Sequence, residues 1–147
     1  MIMASEHYHI LVVLHAFSTM YMTGLIWFVQ VVHYPLMARV GQSESTEYER
    51  EHTRLTGYVV GPPMLIEGIS AALLLAVHPQ LAWTWLAWLG AALLAINTIS
   101  TAAIQIPCHN ALQQGFSTST HQLLVRSNWI RTVAWTARAV IASIMLN

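Results

Sequence analysis

The chain alternates between long apolar blocks and short polar ones. From His7 to Ala38 there is no Asp, Glu, Lys or Arg, and from Gly68 to Val125 there is none either. A helix crosses a hydrocarbon core with about 20 apolar residues, so blocks of this kind predict membrane spans. The first span is expected from His9 to Tyr34, ended or kinked at Pro35, since proline lacks a backbone donor and disfavours helix just before it. A polar segment follows, Gly41 to Arg54, in which Glu51 and Arg54 fall on neighbouring helical turns, as do Glu47 and Arg50. It reads as a surface helix. Gly61-Pro62-Pro63 then punctuates the chain, and a second span runs from Pro63 to Val77. His78-Pro79 turns into a third, Leu81 to Ile106, closed by Pro107. The polar loop Asn110 to Thr120 leads to a fourth, His121 to Leu146. No internal repeat is visible.

The expected architecture is all-α, one domain over residues 1–147. It is an integral membrane four-helix bundle with a short amphipathic surface helix between spans one and two. Four spans put both termini on one side, and Arg39, Arg50, Arg54 and Arg126 on the other. The positive-inside rule makes the arginine side cytoplasmic and the termini external, as in a bacterial inner membrane. Trp83, Trp85 and Trp88 form an aromatic belt at the external start of span three.

Composition agrees and excludes several classes. Only 8% of residues are charged and 56% are hydrophobic, whereas soluble domains carry about a quarter charged residues. With a net charge of zero and no Lys, there is no basic surface for nucleic acid. One cysteine, Cys108, rules out an internal disulfide framework and a zinc ribbon. The N-terminal MIMASEHYHI has no basic region, so no cleaved signal peptide is expected. The expected partners are the bilayer and a lipophilic small molecule, with a homo-oligomer left open.

Polar residues within spans carry the information. His15, Thr19 and His33 share one face of span one, with Gln30 near His33. Span two contributes Glu67, span three Asn97, Thr101 and Gln105 ending at Cys108-His109, and span four His121, Asn128, Arg131 and Arg138. Topology predicts that His33, Glu67, Gln105, His109, Asn128 and Arg131 meet in one cytoplasmic layer and line a polar pocket. The external half is expected to be nearly featureless apart from His15 and Arg138. Each residue also has a structural role open to it: Arg131 and Glu67 as a buried ion pair, Arg138 snorkelling outward, Tyr48 and His52 as solvated residues or as a cover for the pocket.

The run AIQIPCHNALQQG, Ala103 to Gly115, followed by LLVRSNWIRTVAWTARAVIA, Leu123 to Ala142, resembles the anthrone-oxygenase-like domain family of small four-span membrane proteins. Its pattern maps onto Pro107, Asn110, Asn128, Trp129 and Arg131. The resemblance covers the last third of the chain and implies oxygenation of a polycyclic phenolic substrate.

Two function classes follow. The first is a membrane-embedded oxidoreductase or oxygenase acting on an aromatic or quinone-like molecule near the cytoplasmic side. His33, His109, Glu67 and Arg131 are its catalytic candidates, and Gln30, Gln105, Asn128, Trp129 and Tyr34 would contact the substrate. His33, Glu67 and His109, with His52 or His121 joining, form an expected set of iron or copper ligands. Haem with His33 or His109 as axial ligand is a variant. His52 and Glu67 would stand about 22 Å apart on a straight helix, so His52 joins that set only if Gly61-Pro62-Pro63 folds the segment back. A cofactor-free version uses His33 or His109 as a base and Arg131 to steady the anion. The second class is non-enzymatic: an accessory subunit or small-molecule transporter whose buried polar groups serve packing.

Overall fold

In the computed structural model, residues 2–77 and 84–146 are described; the expected His78-Pro79 turn, the start of span three at Leu81 and the placement of Trp83 lie outside them. Every regular element among the described residues is helical: α1 (Ile2–Phe28), α2 (Tyr34–Met37), α3 (Ser45–Val77), α4 (Thr84–Ser100), α5 (Ile106–Leu112) and α6 (Thr118–Met145). Two π-helical turns, Val29–His33 and Thr101–Gln105, join α1 to α2 and α4 to α5 without a break. Three helical runs are long and apolar enough to cross a membrane, Glu6–Met37, Ser45–Ala76 and Trp85–Leu112. This is the build of a membrane protein. Its outer surface agrees, with Phe17, Leu65, Trp85, Trp88 and Ile99 all well exposed.

The π turns have a local cause. Each ends two residues before a proline, Pro35 or Pro107, which cannot donate to the carbonyl one turn back and whose ring crowds it. Widening the turn relieves that crowding: the Tyr34 N–H reaches back to the Val29 carbonyl, and the Ile106 N–H to that of Thr101. The prolines therefore widen the helices where the sequence predicts ends or kinks. In both halves a serine follows ten residues after the proline, Ser45 opening α3 and Ser117 capping α6. Each half thus reads helix, π turn, proline, short helix, loop, helix in one shared register. The repeat escapes a reading of residue identities because only the backbone-determining positions coincide.

Pro62 and Pro63 do not interrupt α3. No separate surface helix forms: residues 45–54 of the polar segment make the first three turns of α3, and residues 41–44 precede it. Both prolines accept the helical φ, and neighbouring helices can stabilise a proline-bearing helix in an apolar setting. The charged edge remains, with Arg54 donating to Glu51 at 3.0 Å on the exposed side.

Cross-helix bonds set the directions. His15 meets Ser70 at 2.9 Å and Thr19 meets Glu67 at 2.9 Å, so α1 and α3 are antiparallel. Trp27 meets Thr136 at 3.0 Å, and the Tyr34 carbonyl meets His121 at 2.9 Å, so α1–α2 and α6 are antiparallel too. Gln105 bonds to Ser127 at 3.1 Å, while Arg138 donates to the Gly90 carbonyl. The α2–α3 and α5–α6 loops consequently share one end of the molecule. α6 packs closely on α1 and α4, and α3 lies on α1.

α6 is the least hydrophobic of the long helices because its polar residues face inward. His121, Ser127, Asn128, Arg131, Thr132 and Arg138 are buried, while Leu123, Ile130, Val133 and Val140 are exposed.

Candidate functional site

The inward polar residues sort into two groups at different depths. The group farther from the loops centres on Glu67, which is fully buried. Its carboxylate accepts from Arg138 Nε at 2.8 Å, Thr19 at 2.9 Å and the Trp135 indole at 3.0 Å. Arg138 also donates to the Gly90 carbonyl, and His15 bonds to Ser70 one turn away. Glu67 therefore sits apart from His33 and His109. Because α3 continues unbroken through its prolines, Glu67 stays several helical turns from His52. The ion pair expected between Arg131 and Glu67 is made by Arg138 instead, so Arg138 points inward and does not snorkel. The half expected to be nearly featureless apart from His15 and Arg138 holds a polar network that joins these two residues' helices to Glu67 and Ser70.

The second group lies near the loops and borders a cavity of about 600 Å³ between α1, α3 and α4–α5, with Arg131 of α6 at its back. Its walls are mainly apolar, including Met22, Leu25, Ile26, Val29, Val59 and Val60. Polar side chains converge at one end: His33, Tyr34, His52, Gln105, His109 and Arg131. A large apolar pocket with a few convergent polar groups is the usual form of a small-molecule site.

The central contact was not anticipated. Glu49, 1% exposed, accepts a hydrogen bond from Nδ1 of His109. The other ring nitrogen, Nε2, lies 3.3 Å from the Tyr34 hydroxyl. Carboxylate, imidazole and phenol thus form one chain crossing from α3 through α5 to α2. His52 stacks on His33 with ring centroids 4.3 Å apart and lies 5.4 Å from His109. Tyr48 lies near-parallel to both His52 and His33, with ring centroids 6.3 Å from each. The His52 Nδ1 meets Thr56 at 3.2 Å, and Gln113 donates to Thr53 at 3.0 Å. The polar stretch that reads as a solvated surface is therefore half inside. Ser45, Glu49, His52, Thr53 and Thr56 recur at helical spacing on one face. That periodicity is the signal by which Glu49 could have been found.

Of the expected substrate contacts, Tyr34 and Gln105 border the cavity, as does Asn110. Gln30 and Asn128 are spent on each other: Asn128 donates to the Gln30 carbonyl oxygen at 2.9 Å, and Gln30 donates to the Val125 carbonyl at 3.3 Å. They lock a π turn to α6. Gln105 plays the matching part in the other half, between Ser100 and Ser127, while still reaching the cavity. Trp129 faces outward, edge-on to Trp27 at 5.6 Å, because its helical phase points away from the other helices. His121 is held by the Tyr34 carbonyl and borders no part of the cavity.

The ligand set expected for a metal does not assemble. Among the described residues no group of three or more His, Cys, Asp or Glu side chains is placed to hold a metal ion. Glu67 is too deep, both nitrogens of His109 have partners, and His33 lies flat on His52 with its Nε2 buried and unpartnered. With both ring nitrogens engaged, His109 is not set as an axial haem ligand.

Comparison of the chain with family models, with curated proteins and with solved structures gives no match in any of the three.

Proposed function

We propose that the protein is a membrane-embedded enzyme that removes a proton from a lipophilic aromatic or quinone-like molecule, without a metal. The observation that carries this reading is the Glu49–His109–Tyr34 chain at the polar end of an apolar cavity. A carboxylate bound to one imidazole nitrogen fixes the tautomer, leaving the other as the acceptor. In the proposed step the substrate's acidic C–H or O–H proton passes to the Tyr34 oxygen as the Tyr34 proton passes to His109 Nε2. The electron pair stays on the substrate as an enolate or phenolate, and Glu49 stabilises the imidazolium. Arg131 faces the same cavity and can stabilise the new anion by charge-assisted hydrogen bonds.

The oxygenase form of this reading rests on the resemblance in Ala103–Gly115 and Leu123–Ala142. With dioxygen as co-reactant, a carbanion at an acidic methylene forms a C–O bond. Protonation gives a hydroperoxide, and loss of water leaves a carbonyl. The methylene carbon is oxidised, one oxygen atom is kept, and the other leaves as water. We also read α6 as a fourth membrane span, since its outward face is apolar and its polar side chains are turned inward.

The test is solvent deuterium exchange into the acidic methylene of a polycyclic phenolic ketone, followed by NMR with purified protein in lipid. His109→Ala and Glu49→Gln should each slow exchange by about 100-fold or more, the usual range for removing a positioned acid–base group. Wild-type exchange no faster than that of H109A would overturn the reading.

A further inference from the structure

The two buried arginines of α6 make a controlled comparison. Arg138 is neutralised by Glu67 and also binds the Gly90 carbonyl. Arg131 is 7% exposed and forms no ion pair with a carboxylate among the described residues. Its polar neighbours are neutral, the Asn128 amide oxygen at 3.2 Å and the Tyr34 hydroxyl, its Nε has no partner, and its ring neighbour is Trp135 at 5.2 Å. No carboxylate lines the cavity among the described residues, and Glu49, behind it, is engaged by the cavity's His109. A buried cation lacking an anion is costly, and membrane interiors pair such groups. Here the missing partner has a place to sit, because Arg131 borders the cavity.

The walls indicate how that partner arrives. Phe28, Leu55, Val59 and Ile106 border the cavity and are also exposed apolar residues. The cavity thus reaches the surface past side chains suited to acyl chains. α3 is held less closely to α4 and α5 than to α1, which leaves the opening on that side.

We propose that the cavity takes an anionic amphiphile from the bilayer, its acidic head paired with Arg131 and its apolar body lying along α1 and α3. The inference deepens the reading above, on which it rests, by naming the substrate class: a lipophile that carries a carboxylate or similar acidic head besides the C–H or O–H whose proton is removed. It also assigns the residues at the mouth, Leu55, Val59 and Ile106, to substrate access.

The experiment uses the full chain in phosphatidylcholine nanodiscs and a fluorescent fatty acid, 11-(dansylamino)undecanoate, beside its methyl ester. The carboxylate should bind wild type more tightly than the ester. Arg131→Gln should weaken the carboxylate by about 30-fold, the loss usual when one partner of a buried charge pair is removed, and leave the ester unchanged. Arg131→Lys should restore much of the affinity, which separates lost charge from lost folding. Val59→Trp should slow capture of either probe without changing helix content. Equal affinity of wild type for acid and ester overturns the head-group assignment while leaving the acid–base reading standing. Failure of both probes to bind overturns the amphiphile proposal as a whole, while the acid–base reading falls only if the deuterium exchange fails.

Discussion

At the residue scale, the informative contrast is between polar groups that are satisfied and those that are not. Glu67 takes three donors, from α1 and α6, and its role is to fix the packing of those helices on α3. Breaking a buried pair leaves an uncompensated charge, which costs about 3–5 kcal/mol. Arg138→Gln or Glu67→Leu should therefore lower the unfolding midpoint sharply, measured by helix content against denaturant in detergent. The double substitution Glu67→Leu with Arg138→Met should recover much of the loss, because it removes both charges together. Additive losses in the double variant would show that the pair is not what holds this layer. Asn97, by contrast, is fully buried with neither amide atom partnered. Asn97→Leu should leave stability unchanged or raise it, since an unsatisfied buried amide costs about 1–3 kcal/mol.

At the element scale, the sequence made helices legible and left their continuity illegible. Charge-free blocks and prolines located the first span to within a turn, because lipid permits few alternatives, but they began the second at Pro63, about five turns after α3 starts. What proline does inside a helix depends on whether the neighbours let the turn widen, and single residues do not report that. So Pro35 and Pro107 mark π turns, Pro62 and Pro63 pass within α3, and the polar start of α3 belongs to the same rod. The site was legible in part for the same reason. His33, His109 and Arg131 each follow from their depth along a span, while Glu49 depends on α3 remaining one helix, and Glu67 was misplaced by assuming that it did not. For α6, the inward turn of its polar residues gives a direct expectation. Val133→Cys and Val140→Cys, placed on the exposed apolar face, should escape a water-soluble maleimide in intact vesicles and react in permissive detergent. Ser119→Cys beside the loop should react wherever the reagent has access. Labelling of Val133→Cys from water would remove α6 from the membrane.

At the scale of the whole molecule, the shared register of the two halves explains why the site lies where it does. Each half brings a π turn and a short helix to the loop end, so His33–Tyr34 of one and Gln105–His109 of the other face the same space. The halves then diverge: α3 supplies Glu49 and His52, whereas α6 supplies Arg131 and, at the place matching Glu49, His121. The loop end is also where Arg39, Arg50, Arg54 and Arg126 fall, while Arg131 and Arg138 are buried deeper in α6. If basic loops stay on the cytoplasmic side, the cavity's polar end opens near that leaflet and both ends of the chain lie outside. Ser43→Cys and Ser119→Cys, one in each loop region, should then be labelled together in inverted vesicles and spared together in right-side-out ones. Labelling of one without the other would break the antiparallel arrangement that the His15–Ser70, Thr19–Glu67 and Gln105–Ser127 bonds require, because those bonds put both loops at one end. Joint labelling from the outside would reverse the orientation and place the acid–base chain near the external leaflet, with the geometry of the cavity unchanged.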